Sequence, residues 1–257
     1  MISYCITCYR PRYATLLIDD LVRKTSVPFE ILLWLNVDDQ EFEHWLHEKQ
    51  IGGYPIRIIA RTPHNIGMAA YFHLFDASRF DMVTQIDDDV VCVSSRIAET
   101  AFEIFARCHD VGMLAADVWQ DEYTTGARPP LEQYRIADRE RGLYDGPIDG
   151  WFAIYRKSCL HLCRKIERGR YVYVGGRMQG LLRENGLRGL LCTGMKVFHV
   201  MGPQYVSYFG MLDFEIAKYA SVGRTDMVRW YSEARNSLPP YEELHRRVEA
   251  IRSSLNK

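Results

Sequence analysis

A chain of 257 residues, 47% hydrophobic and 25% charged, is long enough for one large domain or two small ones around a sizeable core. With 32 basic against 33 acidic side chains the net charge is −1, so no global electrostatic drive toward DNA, RNA or an anionic membrane is expected; a local patch would have to come from "RKIERGR" (164–170) or "ELHRRVEAIR" (243–252). No apolar run reaches ~18 residues, so no transmembrane helix is predicted, and "MISYCITCYR" lacks the basic-then-apolar layout of a signal peptide.

The seven cysteines are odd in number and scattered, which fits reduced thiols and predicts a cytoplasmic protein. Cys5 with Cys8, and Cys159 with His161 and Cys163, have spacings that zinc can use. A core role outweighs that reading. Strand alternation points Cys5 and Cys8 to opposite faces, and "SCLHLC" reads as the apolar face of a helix.

In chain order, "ISYCIT" (2–7) is a short β-rich run and "YATLLIDDLVRKT" (13–25) has helical spacing. "FEILLWLN" (29–36) suits a strand buried on both faces, and "DQEFEHWLHEKQ" (39–50) a helix stopped by Gly52-Gly53. "PIRIIA" (55–60) is a strand, "GMAAYFHLFDAS" (67–78) a helix and "DMVTQI" (81–86) a strand that runs into three aspartates. "SRIAETAFEIFARCH" (95–109) is a helix capped by Ser94 or Ser95, followed by the strand "VGMLAA" (111–116).

The second half is less regular. Residues 117–147 are polar and rich in turn formers, a long loop or a pair of hairpins. "IDGWFAIYRKSCLHLCRKI" (148–166) reads as strand then helix, "GRMQGLLRENG" (176–186) as a short helix, and "GLLCTGMKVFHVMGP" (189–203) as one or two short strands. "DFEIAKYA" and "PYEELHRRVEAIRSSL" are helices of a C-terminal tail. The last of these carries glutamates among its basic residues, which favours a solvated or dimer-forming helix over one lying on lipid headgroups.

Strands alternating with helices predict βαβ units, hence an α/β, Rossmann-like fold with a mainly parallel sheet flanked by helices. Ligands of such sheets bind beyond the carboxyl ends of the strands. That edge gathers Thr7, Asn36, Asp38, Arg61 and the aspartates Asp87, Asp88 and Asp89. Three adjacent carboxylates repel one another unless neutralised. A solvated turn or a helix N-terminus would suffice. At the end of a buried strand, hard oxygen ligands fit Mn²⁺ or Mg²⁺ better, with the ion in turn holding a diphosphate.

The "DDD" of residues 87–89 resembles the D-x-D signature of GT-A fold nucleotide-sugar glycosyltransferases, in particular the family-2-like group. The blocks "ITCYRPRYATLLIDDLVRKTSVPFEILLWLN", "NIGMAAYFHLFDASRFDMVTQIDDDV" (65–90), "DGWFAIYRKSCL" (149–160) and "GLRGLLCTGMKVFHV" (186–200) follow that group's order across residues 2–203. The resemblance implies a metal-dependent transferase moving a sugar from a nucleotide-diphosphate sugar, a UDP-sugar foremost, to a glycan or other acceptor hydroxyl. It implies a mixed sheet whose donor half spans 1–116 and acceptor-side half 117–212 of one domain, with a helical tail over 213–257. It also places Thr7, Tyr9 and Arg10 against the nucleotide and has Asp38 or Asp39 bond the base. Asn65 and Gly67 would border base and ribose, and Asp87 and Asp88 the ribose side. Asp87, Asp89 and His199 would hold the metal.

The pattern breaks at the family's Gly-Glu-Asp motif. Aligning Arg183 and Gly186 puts Gly175 at the motif glycine, and Gly176 and Arg177 where two carboxylates belong. The acceptor's proton then needs another base, for which Asp149 is placed best, or the enzyme is retaining. Arg177 offers a guanidinium to an acidic acceptor or to the leaving diphosphate. Trp151 and Tyr205 offer flat faces to a sugar. Two other classes fit less of the chain. A non-catalytic sugar-nucleotide-binding module would explain the missing pair, and a nucleotidyltransferase would show glycines that "YCITCYRPRYA" lacks.

Overall fold

A computed structural model describes residues 1–124, 128–167 and 174–256. The chain opens with β1 (Ile2–Cys8) and turns through Tyr9 and Arg10 into α1 (Pro11–Lys24), with Pro11 in the first turn, where no helical N–H is required. Next come β2 (Phe29–Leu35) and α2 (Gln40–Ile51), whose N-cap Asp39 accepts from Phe42 N at 2.9 Å. Then follow β3 (Ile56–Arg61), α3 (Ala69–Ala77), β4 (Met82–Asp87), β5 (Val90–Val93), α4 (Ile97–Arg107) and β6 (Val111–Val118). A hairpin of β7 (Arg135–Asp138) and β8 (Leu143–Asp145) precedes β9 (Phe152–Arg156), a 3₁₀ stretch (Lys157–Lys165), α5 (Val174–Glu184) and β10 (Arg188–His199). The tail adds α6 (Pro203–Tyr208), α7 (Leu212–Ser221), α8 (Thr225–Ala234) and α9 (Tyr241–Leu255).

The strands form a single sheet in the order β3-β2-β1-β4-β9-β6-β10-β8-β7, with β5 attached to β10. β3, β2, β1 and β4 are mutually parallel, so their carboxyl ends share one edge, while β9 lies antiparallel between β4 and β6. β1 and β2 are buried along nearly their whole length, which is why both read as continuous apolar runs. The sheet is mixed and mainly parallel, the α/β architecture expected.

Three local expectations are corrected, and one strand was unforeseen. β5 was not legible: its "VVCV" follows the aspartates directly, and a four-residue run has no period of its own. Ser94 and Ser95 do not cap α4. Ser94 Oγ accepts from Lys196 N (3.0 Å), Ser95 N donates to Leu255 O (2.9 Å), and the N-cap is Arg96 with φ 58°. Residues 189–199 are not one or two short strands but all except the first residue of one twelve-residue strand, whose register against β6 shifts after Arg188 and again between Cys192 and Lys196. The cysteine-containing segment 157–165 is 3₁₀ rather than α, with Cys159, Leu162 and Cys163 buried. Residues 168–170 of the basic-rich segment, and 125–127 of the long polar segment, lie outside the described residues.

Two apolar clusters hold the molecule together. The larger fills both faces of the sheet. The smaller joins the far side of β5 and β10 to the tail through Val91, Phe198, Tyr205, Phe209, Val248 and Ile251. α9 therefore turns its apolar face (Leu244, Val248, Ile251, Leu255) into the protein. Each such side chain contributes on the order of 1.5–3 kcal/mol when fully buried. No helix among the described residues is long and apolar enough to cross a membrane.

Candidate metal centre and adjoining cavity

β4 delivers Asp87 to the carboxyl edge, and the turn into β5 places Asp88 and Asp89 on different sides. Asp88 faces inward and is only 2% exposed. It accepts from Tyr9 N and Arg10 N, both at 2.6 Å, and from Arg10 Nε (2.9 Å) and Nη2 (2.6 Å). It pins the loop after β1. Asp89 Oδ2 meets Arg10 Nη1 at 2.6 Å, and its Oδ1 lies 2.9 Å from His199 Nε2. His199 reaches this point because β10 pairs antiparallel with β5, setting His199 opposite Val90, while Val200 N donates to Asp89 O (2.8 Å).

Asp87, Asp89 and His199 each offer a ligand atom, all within 4.8 Å of one another. Two carboxylates and an imidazole are a donor set that suits a divalent cation such as Mn²⁺. Their protonation shows how much charge is packed here. Burial, and then the Asp89 charge, push Asp87 up to about 7, against the pull of His199. Burial would also raise Asp89, but Arg10 and His199 hold it well below the usual carboxylate range. Burial disfavours the His199 cation, yet Asp89 outweighs it and the net shift is upward.

Beside this cluster opens a cavity of about 460 Å³. Thr7, Asn36, Asn65 and Gly67 line it, together with Tyr9, Arg10, Asp87 and Asp88. Asn36 Oδ1 is filled by Ile66 N and Thr62 Oγ1, each at 3.1 Å, so its remaining capacity is the amide N–H. Asn65 Oδ1 accepts from Gly67 N (2.6 Å), closing a turn in which Gly67 has φ +60°, a conformation that favours glycine.

Asp149 lies near the cluster, close enough that its charge helps to raise Asp87. Its Oδ1 accepts from Gly150 N (2.7 Å) at the start of β9, and it is bonded by Gly176 N from the first turn of α5. Burial raises its pKa, and those two N–H donors oppose the rise only in part. Gly175 makes the approach feasible: a Cβ there would stand 2.4 Å from Gly150 N.

Other residues expected at the site have different surroundings. Asp39 is a helix cap, and Arg61, at the exposed end of β3, pairs with Glu43 (3.0 Å). Neither these two nor Asp38 lines the cavity. Trp151 is buried with its indole N–H on Ala116 O (2.7 Å), while its carbonyl accepts from Asp87 N (3.0 Å). It supports Asp87 from behind and shows no open face. Tyr205 is likewise buried, donating to Asp121 Oδ2 at 2.6 Å. Arg177 is exposed on α5.

One wall was missed altogether: Lys218 and Tyr219 of α7, with Val222 and Arg224 after it. α7 is tied to the site by Glu215, 2% exposed, which accepts from Arg10 Nη1 (3.1 Å) and pairs with Lys218. Arg224 pairs with Asp226 at 2.8 Å. No motif marks these residues, since "DFEIAKYA" reads as an ordinary amphipathic helix.

No family model matches this sequence, and no curated protein matches it. Solved structures do. The mannosyltransferase PcManGT from Pyrobaculum calidifontis, in complex with GDP-Man and Mn²⁺, superposes with TM-score 0.61 at 11% identity over 97% of this chain and 79% of its own. S. aureus TarS 1–349 gives 0.56 at 12% identity over 90% and 70%. GalNAc-T7, with UDP, GalNAc and Mn²⁺, gives 0.60 at 9% identity over 99% of this chain and 57% of its own. The chain has the GT-A fold of these glycosyltransferases.

Proposed function

We propose that this protein is a metal-dependent glycosyltransferase that takes its sugar from a nucleoside-diphosphate sugar, a UDP-sugar foremost. The observation that carries the reading is the adjacency of two features: a cluster of two carboxylates and a histidine, and a nucleotide-sized cavity at the carboxyl ends of β1, β2 and β4. Mn²⁺ or Mg²⁺ held by Asp87, Asp89 and His199 supplies positive charge to the donor diphosphate when bound; the imidazole favours Mn²⁺.

The chain's own groups do the rest. Thr7, Asn36, Asn65 and Gly67 bind base and ribose. Asp88, through Arg10, fixes the loop on which Tyr9 stands. Asp149 accepts the proton of the acceptor hydroxyl as its oxygen bonds to the anomeric carbon and the bond to the diphosphate breaks. Its raised pKa suits that role, and the outcome is inversion. The acceptor is a glycan or another hydroxyl compound entering on the β9–α5 side.

The test is thermal stabilisation by a panel of nucleoside diphosphates with and without Mn²⁺, in wild type and Asp89→Ala. A metal-dependent rise in Tm with one base, lost in Asp89→Ala, is expected. No rise with any nucleotide overturns the reading.

A further inference from the structure

We propose that Lys218 of α7 is a ligand of the donor's diphosphate, which makes the C-terminal tail part of the donor site; this rests on the reading of the cavity as a nucleotide-sugar site. A diphosphate brings negative charge into a cavity already walled by Asp87 and Asp88. The cations lining it must be sorted by what they already hold. Arg10 is committed to Asp88, Asp89 and Glu215. Withdrawing it would strand three buried carboxylates, so it does not turn to a ligand. Arg224 is bound through two nitrogens to Asp226 at 2.9 and 2.8 Å in a pair more than half exposed on both sides, so it stands toward solvent, whereas of the two Lys218 is the one whose charge acts on Asp89.

Lys218 differs. Its acidic partner among the described residues is Glu215, which keeps Arg10 when Lys218 leaves. Its side chain is 20% exposed and lines the cavity, and it lies within electrostatic reach of Asp89, hence beside the cluster that would hold the metal. The lysine has three rotatable donors on a flexible stem, so exchanging one carboxylate for a phosphate oxygen needs no backbone movement. Glu215 thereby stores the ammonium against the cavity wall until the diphosphate arrives. No bond is made or broken in this exchange.

Lys218 would touch phosphate and not base, so a mono- and a diphosphate of one nucleoside tell its contribution apart. UMP and UDP, each with Mn²⁺, are titrated into the full chain carrying Lys218→Met or Lys218→Arg. Loss of a charged hydrogen bond predicts that Lys218→Met weakens UDP by about tenfold or more and UMP by less than about twofold. Lys218→Arg should retain UDP affinity to within about threefold, because it keeps the charge. If Lys218→Met lowers Tm by more than about 5 °C, on the scale of ~1 kcal/mol, Lys218→Gln replaces it, keeping a hydrogen bond to Glu215 without the charge. Equal losses for UMP and UDP, or no loss for UDP, overturn the assignment. If wild type prefers another base, its mono- and diphosphate replace the uridine pair. If wild type binds no nucleoside diphosphate, the donor-site reading itself has failed and Lys218 falls with it.

Discussion

Arg10 and Glu215 stand 205 residues apart and meet at 3.1 Å, joining the loop after the first strand to the C-terminal tail. The same guanidinium holds Asp88 and Asp89, so one side chain organises both the acidic turn and the helix that closes the cavity. Removing a partner from such a buried group is destabilising because the remaining charges lose compensation.

Asp88 and Asp89 should therefore fail in different ways. Asp88→Asn breaks the anchor of the β1–α1 loop and is expected to lower stability by about 3–5 kcal/mol. Asp89→Asn is expected to weaken Mn²⁺ binding far more than Asp88→Asn does. Chemical denaturation and Mn²⁺ titration of both variants check this. Equal metal loss in the two would contradict the division of labour.

Asn36→Asp reverses the polarity offered to the base while leaving one oxygen for Ile66 N and Thr62. Because Asn36 is 2% exposed, the added carboxylate should also lower Tm. Affinity for the preferred nucleoside diphosphate should fall by about tenfold, the scale of one hydrogen bond in a buried site turned repulsive. Calorimetry with UDP and CDP reads it, and an unchanged ratio of the two would show that Asn36 does not face the base.

Asp149→Asn keeps an acceptor for Gly150 N but cannot take a proton. Turnover should fall by about 10²–10⁴-fold, the usual worth of a general base, with nucleotide binding unchanged. Retained turnover would remove Asp149 from the mechanism, and NMR of the product anomer would then decide between inversion and retention.

Stability toward acid should depend on Glu30 in β2. Burial raises the pKa of its carboxyl, but Arg57 (2.7 Å), Arg79 N (2.8 Å) and Ser3 Oγ (2.8 Å) outweigh this, and the net shift is downward. A lowered folded-state pKa contributes stability that is fully present above the unfolded value of about 4.3 and lost as pH falls through the folded value. Glu30→Gln should be less stable than wild type at neutral pH and lose less on acidification below pH ~4.3. Parallel pH-dependent denaturation curves would contradict this.

The tail's apolar anchoring is testable separately. Ile251→Ala in α9 should cost about 2–5 kcal/mol, measured by denaturant unfolding.

Much of the N-terminal half was legible because its strands are buried on both faces and its helices are periodic, so β1 to β4 stand within a residue or two of their predicted places. The aspartates were legible as a charge anomaly at a strand end. Asp88 was not separable from its neighbours, since only the fold shows which carboxylate turns inward. Trp151 and Tyr205 looked like sugar platforms, yet nothing in a sequence tells a buried aromatic from an exposed one. Lys218 gave no signal at all: its role exists only because Glu215 happens to meet Arg10.

The β5–β10 pairing has a consequence for how the molecule comes into being. Asp87 and Asp89 are synthesised more than a hundred residues before His199, which β10 then lays beside them. Contacts of such long range form late and slowly. A nascent or partly folded chain that has built β1 to β4 thus carries its acidic turn without the histidine or the Glu215 clasp. The capacity to hold a divalent ion would then be acquired near the end of folding, and uptake of Mn²⁺ would report completion of the native state.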